Sequence, residues 1–279
     1  MASLAQPSMT GLEEDRRGST SADGIEHLAV SVPSRPAGDL NDDQLLAKSR
    51  NSTRWELTVT AASWVAPRML RLAVSAPGLT EMNYQPGHDF TVLVAHAAGR
   101  AIRRRYTIAG RGGADMVHLD VFVHGDGIGT AWAQTRRVGD CFTAIGPRGS
   151  FVLGPPADRH VFVGDETSIP GINAMLANTD RPADVVVEVD DPCEWEPLAA
   201  RGRPETTWIW LPRSTATTPL HELVLPATEN SHAYVSGEAS RVLAWREELE
   251  RRGMDASVIT HKAYWGAGRA NATHGEPLA

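Results

Sequence analysis

The strand pattern of this chain changes character once, near Pro155 and Pro156. Before that point, from Trp55 to about Ile145, short runs of alternating apolar and polar residues are separated by turns rich in glycine and proline. About six strands at this spacing predict a closed antiparallel barrel. Beyond it, apolar strands alternate with helical segments, which predicts a parallel α/β sheet. The sequence therefore predicts two domains, a β-barrel followed by an α/β domain.

The individual elements are predicted from apolar periodicity and from turn residues. Barrel strands are expected at residues 55–60, 69–74, 90–94, 102–108, 116–123 and 141–145. Strands of the second domain are expected at 160–164, 185–189, 208–211, 233–236 and 258–260, with helices at 170–177 and 238–252.

Composition sets the predicted domain limits. Residues 1–50 are rich in Ser, Asp, Gly and Pro and contain no aromatic residue, so we predict a mobile N-terminal arm. The barrel domain is predicted at 51–157, the α/β domain at 158–265 and a C-terminal tail at 266–279.

Charge and hydropathy narrow the function. The net charge of -7 disfavours nonspecific nucleic-acid binding. No apolar run approaches the ~20 residues that span a bilayer, and no signal pattern opens the chain, so we expect a cytoplasmic protein without a membrane span. Cys141 and Cys193 are far apart and are expected to be reduced thiols, buried or half-buried. The histidines show no spacing suited to a permanent metal site, and no metal ligand is predicted.

The strongest chemical signal is the segment Arg104-Arg105-Tyr106-Thr107 in a predicted strand. Arg104 and Tyr106 are two residues apart, so they lie on the same side of the strand. A guanidinium fork suits a pyrophosphate, and an aromatic face suits the planar ring of a flavin. Thr107 is then expected near ring nitrogen N5. The alternative is an ordinary strand with a charged edge.

A glycine-rich turn follows about twenty residues later, at His124-Gly125-Asp126-Gly127-Ile128-Gly129-Thr130-Ala131. It connects a strand to a predicted helix at 130–135, and such a turn presents backbone N–H groups to phosphate. The predicted cofactor-binding residues here are His124, Gly125, Gly127, Thr130 and Ala131. The alternative is a simple turn in which His124 caps a strand.

Further motifs follow in a fixed order: GPRGSF at 146–151, GDETSIP at 164–170, YVSGEA at 234–239 and AYWGAGR at 263–269. Together with the two motifs above, they resemble the siderophore-interacting protein family of ferric-siderophore reductases, within the ferredoxin–NADP reductase superfamily. The resemblance extends from about Trp55 to Arg269. Ala109 and Gly266 stand where the family often has arginine, and these departures leave the charge type of the substrate open.

The resemblance implies a reaction and two cofactors. FAD would bind in the barrel domain, with Arg104 at its pyrophosphate and Tyr106 and Thr107 at the reacting ring. NADPH or NADH would bind in the α/β domain and supply hydride. Electrons would then pass singly to Fe(III) in a ferric siderophore, which releases Fe(II).

The loop 164–170 takes the place of a dinucleotide fingerprint, because the chain lacks the Gly-x-Gly-x-x-Gly pattern. It lies between the first strand and helix of the α/β domain, where open sheets bind ligands. The predicted nicotinamide-binding residues are Asp165, Thr167, Ser168, Arg213, Gly237 and Glu238. The alternatives are an N-capping loop at Asp165 and a plain strand-to-helix turn at Glu238.

The choice between NADPH and NADH stays open at this point. Arg213 follows a predicted strand and suits a 2′-phosphate, whereas Asp190 and Asp191 follow the preceding strand and suit a free ribose hydroxyl.

The C-terminal residues suggest a substrate site. Arg103, Lys262 and Arg269 could form a cationic rim for an anionic ferric chelate, and Trp265 could cover the flavin. The alternative is that the aromatic residues pack a domain interface and the basic residues are solvated.

Three rival functions remain at the sequence level. The first is a reductase of the same fold with another acceptor, such as a quinone, a haem protein or free flavin. The second is a siderophore-binding protein with little or no turnover. The third is a reductase with a vestigial nicotinamide site and ferredoxin as its electron donor.

Overall fold

The computed structural model describes residues 53–97, 100–199, 205–213, 230–266 and 269–270. The predicted N-terminal arm at 1–50 lies outside these residues, and so does most of the predicted tail at 266–279.

Six strands close into an antiparallel barrel in the order β1-β2-β5-β4-β3-β6. Their bounds are β1 (Thr53–Ala66), β2 (Met69–Ser75), β3 (Asp89–Ala97), β4 (Arg100–Gly113), β5 (Met116–Phe122) and β6 (Cys141–Arg148). Inward-facing side chains such as Leu57, Leu72, Phe90 and Leu119 are fully buried and form the barrel core. A short helix, α1 (Ile128–Gln134), follows β5 and contributes the buried Trp132 to the same core.

The second half of the chain forms a six-stranded sheet in the order β12-β11-β10-β7-β8-β9. Its strands are β7 (Arg159–Asp165), β8 (Ala183–Val189), β9 (Thr206–Pro212), β10 (Ser231–Glu238), β11 (Ile259–Gly266) and β12 (Arg269–Ala270). Strands β7 to β11 are parallel, and β12 pairs antiparallel to β11. Helix α2 (Ile169–Leu176) follows β7, and helix α3 (Ala239–Arg251) follows β10.

Apolar layers cover both faces of this sheet. Phe162, Ile172 and Trp195 belong to one layer, whereas Val163 and Trp245 belong to the other. Burial on both sides explains why every residue of β8 is buried and why that strand is almost continuously apolar.

The predicted fold class is confirmed: an antiparallel barrel precedes a parallel α/β sheet. Strand bounds differ mainly where pairing extends a strand beyond its sequence signal. Strand β1 continues to Ala66 because Ala62 and Trp64 pair with Leu72 and Leu70 of β2. The prediction ended this strand at residue 60, since residues 61–63 have weak strand propensity.

The expected burial of the cysteines is wrong, because Cys141 and Cys193 are both exposed free thiols. Cys141 begins β6 beside the inward-facing Phe142, so alternation turns its side chain outward. Cys193 lies in a 3₁₀ turn (Pro192–Glu194) on the surface. Across the described part of the chain, no helix is both long enough and apolar enough to cross a bilayer.

Candidate functional site

A cavity of about 390 Å³ lies where the barrel meets the carboxyl ends of the parallel strands. Residues from both halves of the chain line it, as expected for a ligand site in an open α/β sheet. Nine residues singled out from the sequence are among them: Arg104, Tyr106, Thr107, His124, Gly127, Thr130, Thr167, Lys262 and Trp265.

Strand β4 presents Arg104 and Tyr106 to this cavity and to Gly129 of α1. A Cβ atom on Gly129 would lie 3.0 Å from the Tyr106 hydroxyl and 3.3 Å from Cγ of Arg104, so glycine permits this close approach. The Tyr106 hydroxyl donates a hydrogen bond to the Gly129 carbonyl at 3.4 Å. Its ring stacks on Trp132, with centroids 5.5 Å apart and planes 13° apart. Trp132 was missed by the sequence analysis, although it lies within the quoted helix.

The glycine-rich turn is closed by its own hydrogen bonds. The Thr130 hydroxyl donates to the carbonyl oxygen of His124 at 2.9 Å and accepts from the His124 N–H at 3.3 Å. The first intrahelical bond of α1 runs from Ala131 N–H to Gly127, so the preceding N–H groups have no acceptor within the helix. The imidazole of His124 stacks on Phe122 with centroids 5.1 Å apart.

These residues fit a flavin dinucleotide. Tyr106 offers an aromatic ring that Trp132 holds in place, and Arg104 uses one guanidinium nitrogen on the Arg103 carbonyl and keeps further donors. Nothing lies within 4 Å of where a Cβ would stand on Gly125 or Gly127, so a ligand can approach this backbone closely. The buried Thr107 lines the same cavity.

On the sheet side, Asp165 links the ends of three strands. Its buried carboxylate accepts hydrogen bonds from the Thr167 N–H at 2.9 Å, the Glu238 N–H at 2.8 Å and the Trp265 indole N–H at 2.9 Å. Burial raises the pKa of Asp165, and the bonds from Thr167 and Trp265 oppose that rise. Asp165 does not line the cavity itself, but it positions Thr167 and Trp265, which do.

Two other predicted residues, Ser168 and Glu238, make local capping contacts. The 3₁₀ turn Glu166–Ser168 has a capping box formed by Asp165 and Ser168, and the Ser168 hydroxyl lies 3.0 Å from that of Ser236. The Glu238 carboxylate accepts from the backbone N–H groups of Ser240 and Arg241 and caps α3. These capping contacts correspond to the alternatives to nicotinamide binding that the sequence left open at Asp165 and Glu238.

Arg213 lies at the end of β9 and binds two carboxylates. It donates to the buried Glu166 and, through Nε, to Asp190 at 2.9 Å. Arg68, in the turn between β1 and β2, donates to Asp190 at 3.0 Å and to Glu194 at 2.9 Å. This chain of ion pairs joins the barrel to the sheet.

A second ionic cluster is formed around Asp89, which was not among the predicted site residues. Its buried carboxylate accepts two hydrogen bonds from Arg105, at 2.9 and 2.7 Å, and one from the Lys262 ammonium at 2.7 Å. The Lys262 side chain is only 3% exposed, so its charge faces Asp89 rather than a surface rim. Burial lowers the pKa of Lys262, and Asp89 opposes that effect. A charged residue at the start of an apolar strand was the available signal for Asp89.

Of the remaining predicted residues, those whose side chains the structure describes do not line the cavity. Arg103 is half-buried on β4 and pairs with Leu93, whereas Gly125 and Ala131 belong to the glycine-rich turn and α1. Gly237 lies directly against Asp165. The side chain of Arg269 lies outside what the structure describes.

An antiparallel barrel and a parallel α/β sheet that share a cavity with this arginine–tyrosine pair define a two-domain flavin oxidoreductase. Residues 94–151 match the siderophore-interacting FAD-binding domain, and residues 157–268 match the siderophore-interacting protein family. The chain belongs to the siderophore-interacting protein family, and its flavin is FAD.

Similar proteins agree with this placement. The chain is 30% identical over 207 residues to the ferric vibriobactin reductase ViuB of Vibrio cholerae, covering 70% of this chain and 74% of that protein. It is 25% identical over 154 residues to the NADPH-dependent ferric-chelate reductase of Escherichia coli, covering 53% and 60% of the two chains. The crystal structure of a siderophore utilization protein from T. fusca has the same fold, with a TM-score of 0.68 and 24% identity, covering 81% of this chain and 97% of that one.

Proposed function

We propose that this protein is an FAD-dependent ferric-siderophore reductase that takes electrons from NADH or NADPH and releases Fe(II). Family membership and the names of the two relatives above support this function. The observation that carries the proposal is the shared cavity. Tyr106 and Thr107 of the barrel and Thr167 and Trp265 of the sheet all line this cavity. Both domains therefore contribute residues to one site.

In this proposal each group has a distinct role. Arg104 and the free N–H groups at the start of α1 bind the pyrophosphate, and Tyr106, held by Trp132, packs on the flavin ring. The Thr107 hydroxyl, which lines the cavity, would donate a hydrogen bond to the ring. Bound FAD supplies the conversion between a two-electron donor and a one-electron acceptor.

The α/β half completes the site. Thr167 and Trp265, both fixed by Asp165, line the cavity and would face the nicotinamide. The siderophore carries the iron, with Arg103 contributing positive charge near its path, whereas the Lys262 charge is held by Asp89. We propose the domain border at 157/158 and a cytoplasmic location, where a nicotinamide donor is available.

The test is an anaerobic experiment with the FAD-loaded protein. NADH or NADPH is added while flavin absorbance is followed, and a ferric siderophore is then added with a ferrous trap present. We expect bleaching, followed by recovery of the absorbance as ferrous iron appears. If the flavin absorbance recovers without the appearance of ferrous iron, the siderophore is not the electron acceptor. That result would favour a different acceptor or a carrier role. Absence of bleaching would overturn the nicotinamide donor and favour ferredoxin.

A matched pair of variants tests the flavin site. Tyr106→Leu removes the stacked ring and is expected to weaken FAD binding about tenfold, the equivalent of one well-packed aromatic contact. Tyr84→Leu alters a tyrosine that packs on the barrel core and does not line the cavity, so FAD affinity should be unchanged. Flavin fluorescence titration measures both values. Equal affinities in the two variants would contradict the assignment of Tyr106.

A further inference from the structure

The carboxyl edge of the sheet continues beyond the cavity and carries an unusual charge distribution. The cavity reaches the end of β7 through Thr167, and β8 and then β9 follow along the sheet. Neighbouring strands lie about 5 Å apart, so both ends are within reach of a dinucleotide whose nicotinamide occupies the cavity. The adenosine ribose would therefore lie near Asp190 after β8 and Arg213 after β9.

Arg213 is the natural partner for a 2′-phosphate, but it is already engaged. It pairs with Glu166, whose side chain is only 2% exposed, and with Asp190. Moving Arg213 onto a phosphate would leave the Glu166 carboxylate buried without a counter-charge, which is strongly unfavourable.

The other arginines that the structure places along this edge are engaged in the same way. Arg68 pairs with Asp190 and Glu194, and Arg241 pairs with Glu188. Against these three guanidinium groups stand seven carboxylates at or just beyond the strand ends: Asp165, Glu166, Glu188, Asp190, Asp191, Glu194 and Glu238. The 2′-phosphate of NADPH would therefore add negative charge beside an edge of the sheet that already has more carboxylates than guanidinium groups.

Asp190 is suited to a neutral ribose. It follows the second strand of the parallel sheet, the place where an acidic residue binds the ribose 2′-hydroxyl in dinucleotide-binding sheets. Its side chain is 52% exposed, so its oxygens can accept a further hydrogen bond beside those from Arg68 and Arg213.

We propose that this protein selects NADH over NADPH, with Asp190 accepting a hydrogen bond from the 2′-hydroxyl of the adenosine ribose. Arg213 is then a positioning residue that holds Asp190 and neutralises Glu166. This inference rests on the proposed nicotinamide donor and names which of the two nucleotides serves.

Calorimetry on the FAD-loaded protein tests this directly, with ADP-ribose and its 2′-phosphate derivative as probes. We expect ADP-ribose to bind at least about tenfold more tightly, a difference of one decade in Kd. Equal or tighter binding of the phosphorylated probe would overturn the inference. If neither probe binds, the inference and the nicotinamide donor both fail. Reduction of ferric siderophore by the chemically reduced protein then decides separately whether the reductase function survives.

Two variants with the same charge change separate a ribose contact from general electrostatics. Asp190→Asn is expected to weaken ADP-ribose binding several-fold. The Kd values of ADP-ribose and of its 2′-phosphate derivative should therefore lie closer together than in the parent protein. Asp191→Asn removes one negative charge at the next residue, whose carboxylate caps the Cys193 turn, and should leave ADP-ribose affinity within twofold. Equal losses in the two variants would overturn the role given to Asp190.

Discussion

At the scale of single residues, the site depends on a backbone position that admits no side chain. Gly237 has a φ of +126°, which side-chain-bearing residues rarely adopt, and a Cβ atom there would lie 2.5 Å from the Asp165 carboxylate. The following N–H, from Glu238, donates to that same carboxylate. Glycine at 237 is therefore what allows Asp165 to join the strand ends and hold Trp265.

Gly237→Ala should lower the free energy of unfolding by about 3 kcal/mol, because backbone strain and the clash with Asp165 add together. Gly253→Ala is the control, since its φ is +92° and nothing lies within 4 Å of the new Cβ. That variant should lose only about 1 kcal/mol through strain. Urea unfolding measures both, and equal losses would show that the Asp165 contact carries no cost.

At the scale of elements, helix α3 ends on a concentrated ionic contact. Glu248 accepts two hydrogen bonds from Arg251, at 2.9 and 2.6 Å, and one from Arg252 at 2.6 Å. The hydrogen bonds from Arg251, then those from Arg252, lower the pKa of Glu248 from its usual 4.5 to about 2. The pKa in the folded protein is thus below that of the unfolded chain. The resulting stabilisation is present above pH 4.5 and is lost as the pH falls toward 2.

Glu248→Gln should therefore lower the stability at pH 7 modestly, by up to about 1 kcal/mol, because one of its two partners, Arg251, is exposed. The difference from the parent protein should shrink as the pH is lowered from 4.5 toward 2. Glu250→Gln is the control, because Glu250 lies on the same helix and pairs with Arg246 alone. Thermal unfolding across this pH range provides the measurement, and a difference independent of pH would contradict the assignment.

At the scale of the whole molecule, the barrel and the sheet are joined next to the cavity by buried charges. Asp89 on β3 binds Arg105 on β4 and Lys262 on β11, and the Lys262–Asp89 pair is almost completely buried. Buried pairs of this kind add little net stability when intact, but removal of one partner leaves an uncompensated charge. The pair therefore connects β3 of the barrel to β11 of the sheet beside the cavity.

Asp89→Asn should cost about 3–5 kcal/mol, because Lys262 remains buried without its carboxylate. The double variant Asp89→Leu with Lys262→Met should recover part of that loss, since the buried Lys262 charge is gone and only the partly exposed Arg105 has lost its partner. Asp180→Asn, in a pair whose acid is 96% exposed, should change stability by less than about 0.5 kcal/mol. If the double variant loses as much free energy of unfolding as Asp89→Leu and Lys262→Met lose together, the two side chains do not act as a pair.

The sequence by itself determined the order of elements and the barrel side of the site. Apolar periodicity fixed where strands and helices lie, since residues that alternate or recur every 3.6 positions must face one core. Arg104, Tyr106 and Thr107 could be grouped because a strand sets their relative directions within a few residues. The nearby turn could be added because helix starts expose N–H groups locally.

Only the tertiary structure decided which distant side chains meet. Lys262 reaches Asp89 across 173 residues, Trp265 reaches Asp165 across 100, and Arg213 reaches Glu166 across 47. Each pairing depends on strand order and on how the barrel docks against the sheet, which no local pattern encodes. The charge of Lys262 and Arg213 was visible in the sequence, whereas their engagement with buried carboxylates was not. The physical reason is that burial and ion pairing are properties of the packed molecule and are set only when the elements come together.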